Sequence, residues 1–267
     1  MAAPTANLPN FTHVYAEDFD TDQAIGVFPD GATYDATWIG YADWSQDTSH
    51  NGYYVPSKVL STHDSYLDIY VHSEFISGVW YHLSAVPFPT DPASTAGGTG
   101  RLYGRVSVRA KSDIVAGYKT AWLFWPFSGN WPAEGEIDFP EGALGGPVNA
   151  YLHWAISDTG SPDYGGQDAF ESLGYSADVW HTYTTEWKPG EVKFYVDDVL
   201  VGTATKAIPS TRMYWALQTE TATDGVTVPT NEAAGHVLID WVSIWDYTPG
   251  SPGATSSTSH LLLMGVG

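Results

Sequence analysis

The sequence predicts an all-β domain, a β-sandwich of the jelly-roll kind built from two antiparallel sheets, and three observations carry that prediction. Aromatic and charged residues each make up 15% of the 267 residues, with 12 Trp and 17 Tyr, a balance suited to pleated, half-buried surfaces rather than helices. Short runs alternate apolar and polar residues with period two. Between them, 27 Gly and 17 Pro supply the turns. The run 65–72 places Leu67, Ile69 and Val71 on one face. In 101–111, Val106 and Val108 point inward and Arg105, Ser107 and Arg109 take the other face. Further strands are expected at 120–127, 135–141, 148–155, 181–187, 191–196, 212–218 and 237–247, parted by Gly, Pro, Asp and Ser clusters such as 90–100 and 157–166. Many short strands at this spacing make a two-sheet sandwich.

The β-sandwich domain is expected to occupy residues 1–247. From Thr248 the composition turns to Thr, Pro, Gly, Ser and Ala, a flexible linker, and the chain ends in the apolar stretch His260-Leu-Leu-Leu-Met-Gly-Val-Gly267. Residues 248–267 read as a linker with either an inert tail or a peptide that docks into a larger assembly. Ten Lys and Arg against 31 Asp and Glu give a net charge of −21, which repels phosphate backbones and anionic membranes and excludes nucleic-acid binding. With no Cys, disulfides, Cys-bound zinc and a thiol nucleophile are excluded too. No apolar run approaches the ~20 residues of a membrane helix. The opening residues carry neither the basic nor the apolar part of a secretion signal.

The chemistry concentrates in Trp131-Pro-Ala-Glu-Gly-Glu-Ile-Asp-Phe-Pro-Glu-Gly142. On a regular strand Glu136 and Asp138 share a face and Glu141 points away. One extra residue, a β-bulge near Phe139-Pro140, returns Glu141 to their side, and Pro is tolerated at bulges because it donates no ladder hydrogen bond. Glu136 and Glu141 then stand ~13 Å apart at Cα, and two extended side chains leave a carboxyl gap of ~5 Å, the separation of retaining rather than inverting glycosidases. In that reading one carboxylate attacks, the other supplies a proton, and Asp138 between them holds the nucleophile, with one group kept protonated by crowding. The same spacing also suits an acidic loop or a calcium-binding turn.

Glu136-Ile-Asp-Phe-Pro-Glu141 resembles the active-site signature of glycoside hydrolase family 16 in its bulged, laminarinase-like form. The similarity runs over most of residues 11–247: Tyr15-Ala-Glu-Asp-Phe19 resembles the opening strand, and Tyr103-Gly-Arg-Val-Ser-Val-Arg-Ala-Lys111 and Ala121-Trp-Leu-Phe124 the strands before the motif. Trp180-His-Thr-Tyr-Thr-Thr-Glu-Trp187 with Phe194-Tyr-Val-Asp-Asp198 resembles a later hairpin, and Ile239-Asp-Trp-Val-Ser-Ile-Trp245 the closing strand. The resemblance implies an open substrate cleft and endo-type, retaining hydrolysis of a β-linked glucan or galactan, with Glu136 as nucleophile, Asp138 as its helper and Glu141 as general acid/base. It places Trp122 and Trp131 in the cleft and counts Arg105 and Gln218 among candidate substrate-binding residues. Departures fall at Ser107, where the family usually has Glu, at Pro140, often Met, and at Gln218-Thr-Glu-Thr221, which replaces an Asn followed by a Gly pair; these are taken to line subsites. No cofactor is implied for catalysis.

Indoles in a sugar cleft stack on the apolar faces of pyranose rings. Trp187, Trp241 and Trp245 are assigned to packing between sheets, and Trp125 and Trp215 fit either role. His153 fits a cleft hydrogen bond or a satisfied core position. Nine His show no metal-ligand spacing. Asp240, expected on one strand face with Leu238, Val242 and Ile244, corresponds to the family's structural calcium position; its partner is either Ca²⁺ or one of the few Lys and Arg. The net charge favours a neutral polymer as partner. Such a substrate places the protein outside the cell or on a virion or surface appendage, and the rival function is a carbohydrate-binding or structural module of the same fold.

Overall fold

The computed structural model describes residues 1–30, 33–34, 36–90, 100–155 and 166–253. In chain order its strands are β1 (Phe11–Glu17), β2 (Trp38–Gly40), β3 (Ser45–Gln46), β4 (Tyr53–Tyr54), β5 (Leu60–His63), β6 (Tyr66–Ile76), β7 (Val79–Ser84) and β8 (Pro87–Pro89), with one helical turn at Pro56–Val59. They continue as β9 (Gly104–Ser112), β10 (Tyr118–Pro126), β11 (Glu136–Ala143), β12 (Asn149–Trp154) and β13 (Gly166–Phe170). Last come β14 (His181–Lys188), β15 (Glu191–Val196), β16 (Val199–Ala204), β17 (Met213–Thr221) and β18 (Ala234–Tyr247). The nine runs named from alternation all fall on strands, with ends that differ by a few residues because loop backbone extends or trims the ladders.

The larger sheet runs β16-β15-β14-β9-β18-β6-β7-β4-β3, with β1 also on β18 and β5 also on β6. The smaller sheet runs β13-β12-β11-β10-β17, and β2 pairs with β8 apart from both. One pair departs from the antiparallel expectation: β4 lies parallel to β7, which the long path through the helical turn, β5 and β6 permits. The core lies between the sheets. Leu67, Ile69, Val71, Val106, Val108, Phe194, Val237 and Ile239 of the larger sheet meet Trp122, Phe124, Ile137, Phe139, Leu152 and Leu217 of the smaller one. That leaves the outer face of β10, β11, β12 and β17 to other work.

The closing strand carries a second bulge, between Ile239 and Trp241. Val237, Ile239, Val242 and Ile244 face the core, so Asp240 does not share a face with Val242 and Ile244 as the unbulged pattern predicts. Trp241 and Trp245 are buried, yet outside the inter-sheet core; the Trp245 indole donates to the Ala6 carbonyl at 2.9 Å, beneath the N-terminal segment. Trp187 and Trp215 do pack between the sheets. The expected tail beyond Gly253 lies outside the described residues.

Candidate active site

The bulge sits where the carboxylates need it. Along β10, Leu123 pairs with Asp138 and Ala121 with Glu141, so Phe139 and Pro140 together oppose Trp122. On the other side Asp138 pairs with Tyr151 and Glu141 with Asn149, the same two-for-one count. Phe139 enters the core against Tyr183 and Phe194, and Pro140 packs near Trp122, Tyr183 and Val237. With two successive side chains turned inward, Glu141 emerges on the face of Glu136 and Asp138. Gly135 starts the strand at φ +80°, where a Cβ would come within 3.0 Å of the His153 carbonyl; the close approach of β12 to Glu136 needs glycine.

The three carboxylates line a cleft of about 790 Å³ on the outer face of the smaller sheet, closed on one side by the 41–54 segment. Asp138 is 2% exposed. His153 Nε2 approaches its Oδ2 at 3.3 Å, but the alignment misses a hydrogen bond. Lys119 Nζ donates to Glu141 Oε1 at 2.5 Å. Trp131 is 39% exposed and stacks on Trp125, with centroids 6.1 Å apart and planes at 11°, so both indoles border the cleft. Deeper in, Glu220 is buried, accepting from the Tyr54 hydroxyl at 2.9 Å and the Thr48 N–H at 3.3 Å.

Two carboxyl groups this close and this enclosed cannot both be anions. Glu136 is pushed up to about 9, by burial first and by the neighbouring Asp138 charge second, while His153 and a hydrogen bond from Trp131 pull back. Asp138 is pushed well above the usual carboxylate range by burial and then by the Glu141 charge. The pair therefore holds a proton near neutral pH. Asp138 is the more enclosed of the two, so the proton costs less there and the charge less on half-buried Glu136. An acid raised in the folded state is protonated when folded and ionised when unfolded between 4.5 and about 9, so its contribution to stability falls as pH rises through that window. Asp138→Asn keeps a neutral side chain without the proton uptake that folding otherwise requires, a cost that grows with pH; its melting temperature is expected to rise by ~3 °C at about pH 8 and by less at about pH 5. Equal shifts at both pH values in a thermal scan would contradict the shared proton.

Of the other residues singled out from sequence, Trp131, His153 and Gln218 line the cleft. Trp122 does not: it is 1% exposed and shares the inward face of β10 with Phe124, so its candidacy for substrate binding is corrected by strand parity. Trp125, three residues on, takes the cleft side. Arg105 also lies elsewhere, on the outer face of the larger sheet, ion-paired with Glu186 and near the rings of Tyr195 and Trp245. Ser107 bonds Thr184 on that same face at 2.7 Å and Pro140 faces the core, so neither lines a subsite. Lys119 and Tyr54 were not singled out, although counting by two from Ala121 reaches the first; Glu220 entered only as part of the segment Gln218-Thr-Glu-Thr221, and it does line the cleft.

Glu136, Asp138 and His153 bring ligating atoms within 4.8 Å of one another, in a set whose carboxyl groups already share a proton. At Asp240 the donor set does not fit calcium. The bulge turns its side chain toward Arg109, whose guanidinium stands 2.5 Å away; a cation already occupies the carboxylate's coordination sphere, so the calcium expectation gives way to the arginine alternative. Chelator is expected to leave the melting temperature unchanged, whereas Arg109→Met lowers it by leaving a 5% exposed carboxylate with only the exposed N-terminal ammonium, 3.2 Å away, as counter-charge. A chelator-induced drop in a thermal scan would reverse that assignment.

The model for glycosyl hydrolases family 16 matches residues 93–243. A β-glucanase of Paenibacillus macerans is 52% identical over 48 residues, 18% of this chain and 20% of its own length. The keratan-sulfate endo-1,4-β-galactosidase of Sphingobacterium multivorum is 27% identical over 206 residues, 74% of this chain and 46% of its own. The chain thus spans between a fifth and about half the length of these curated relatives. The solved catalytic domain of an endo-1,3-β-glucanase (laminarinase) from Thermotoga petrophila shares the fold, with a TM-score of 0.66 at 18% identity over 90% of this chain and 99% of that one. The matched span runs from before β9 into β18 and takes in β11 with both neighbours, and on that ground this chain belongs to glycosyl hydrolases family 16.

Proposed function

We propose that the protein is a retaining endo-β-glycanase that hydrolyses a neutral β-linked glucan or galactan. The observation that carries the reading is the bulged strand β11, which sets Glu136 and Glu141 on one cleft face with proton-sharing Asp138 between them. In the first step the Glu136 carboxylate attacks the anomeric carbon. The glycosidic C–O bond breaks, and its electron pair on the leaving oxygen takes the proton of Glu141. In the second, water attacks the same carbon, gives its proton to the Glu141 carboxylate and expels Glu136, so that two inversions restore the configuration. Asp138, protonated and hydrogen-bonded to Glu136, keeps the nucleophile oriented and takes no part in bond making.

Stacked Trp125 and Trp131 offer flat apolar surface to sugar rings beside the carboxylates. Asp47, Glu136, Asp138, Glu141 and Glu220 line the cleft with Lys119 as counter-charge; a sulfated or uronic chain would meet repulsion there. A polymer substrate of this kind implies work outside the cell or on a particle surface. The test is incubation of the whole chain with laminarin, mixed-linkage glucan, β-galactan and keratan sulfate, with mass spectrometry of the products and NMR of the first anomer released. Oligosaccharides born as β-anomers from a neutral polymer are expected. Saturable binding without cleavage would select the rival binding module, and an α-anomer would overturn retention.

A further inference from the structure

Every described group facing Glu141 is anionic, neutral or a titratable histidine, with one exception. From its own strand come Asp138 and Glu136, from β12 Tyr151 and His153, from β17 Glu220, and from the 46–50 segment Asp47 and His50. The exception is Lys119, whose side chain is 14% exposed. It reaches Glu141 at 2.5 Å and the Thr223 hydroxyl at 3.2 Å. Its place is fixed by register: β10 sets it directly opposite Glu220 on β17 and two residues from Ala121, the partner of Glu141. One ammonium therefore ion-pairs with a carboxylate on one flanking strand, Glu141, and lies in the field of a second on the other, Glu220, which Tyr54 and Thr48 anchor.

We propose, resting on the glycosidase reading above, that Lys119 is a positioning residue for the Glu141 proton and that Glu220 sets its strength. When Glu141 gives its proton to the leaving oxygen, a new carboxylate appears among anions in an enclosed cleft. Lys119 stabilises that carboxylate at the moment it forms, which makes Glu141 a better acid. Lys119 itself keeps its proton throughout: burial lowers its value, but the Glu141 charge and hydrogen bond outweigh that and hold it above the ordinary lysine range. Glu220, opposite Lys119 on β17, takes up part of that field and opposes the effect.

The two residues therefore act with opposite sign, and the alkaline limb of kcat/KM, which follows loss of the Glu141 proton, reads the sign. Lys119→Met should move that limb upward by ~1 unit or more, the scale on which an adjacent opposite charge shifts a carboxyl group. Glu220→Gln should move it downward, and Lys119→Arg should keep it within ~0.3 unit of wild type. An aryl glycoside whose leaving group needs no proton should show no such shift in its first step. An alkaline limb that stays put in folded Lys119→Met, or that moves the same way in both variants, overturns the proposal. Should Glu220→Gln fail to fold, carbon-13 titration of the Glu141 carboxyl in wild type and Lys119→Met decides alone: a higher titration midpoint in the variant is required. That titration needs no turnover, so a wild type inactive on every glycan would sink the glycosidase reading while leaving the coupling of Lys119 to Glu141 measurable.

Discussion

Glu136→Gln and Glu141→Gln are each expected to lose ~10³ or more of the rate on polysaccharide while keeping the wild-type melting profile or better. Each carboxylate serves a bond-making or proton-moving step that no neighbour can replace. Asp138 lies closest, but it is enclosed and shares its proton with Glu136, and His153 meets Asp138 at 3.3 Å rather than Glu141. In Glu136→Gln the loss of one of several crowded negative charges relieves repulsion, and in Glu141→Gln the Lys119 ammonium keeps the Glu220 and Asp138 charges nearby, so loss of activity should not come from loss of fold. The variants should differ on substrate. Glu141→Gln should still be glycosylated quickly by an aryl glycoside with a good leaving group and then stall, whereas Glu136→Ala should be silent until azide or formate replaces the missing nucleophile. Near-normal turnover of polysaccharide by either glutamine variant would end the assignment.

Changing the length of β11 by one residue should have opposite outcomes in the two directions. Inserting Gly after Phe139 puts two extra residues between Asp138 and Glu141. Either the strand stays regular and Glu141 slides from opposite Ala121 to opposite Lys119, ~6.6 Å further along, or the surplus crowds against Trp122. Both remove the acid from its place, and activity on polysaccharide should fall as far as in Glu141→Gln, with the first burst on an activated aryl glycoside preserved because Glu136 has not moved. Deleting Pro140 does the reverse of damage. Asp138, Phe139 and Glu141 then alternate one-for-one against Leu123, Trp122 and Ala121, and Glu141 keeps its partner and its face. The cost is a small void beside Trp122 and Tyr183, ~1–3 kcal/mol, with activity expected within ~10-fold of wild type. Insertion and deletion that harm activity equally, in folded protein, would show that the bulge does not aim Glu141.

The same bulge marks how far the sequence can be read. Period-two alternation is a local signal, and it located the strands because each buries one face wherever it pairs. It also showed that Glu141 needed an extra residue and that Pro140 was a tolerable place for it. Alternation alone cannot say which of two faces looks inward when both carry aromatics, as in Ala121-Trp122-Leu123-Phe124-Trp125. The family resemblance puts Trp122 in the cleft and Trp125 fits either role, whereas packing puts Trp122 between the sheets and Trp125 beside Trp131. The closing strand misled for a related reason. Its bulge at Asp240 has no proline to announce it, so Asp240 seemed to share a face with Val242 and Ile244.

What the sequence by itself determined is whatever depends on neighbours along the chain: the all-β class, the strand positions, the carboxylate order in β11 and the absence of thiol chemistry. What only the tertiary structure decided is which distant strands lie side by side. Lys119, Glu141 and Glu220 come from β10, β11 and β17, and only the order of the smaller sheet makes one ammonium the neighbour of two carboxylates. Arg109 meets Asp240 because β9 pairs with β18 across more than a hundred residues of chain. Electrostatic energy falls with distance in space and takes no account of separation along the chain. The residues that carry the chemistry can therefore be named from sequence, while the charges that tune them belong to the fold.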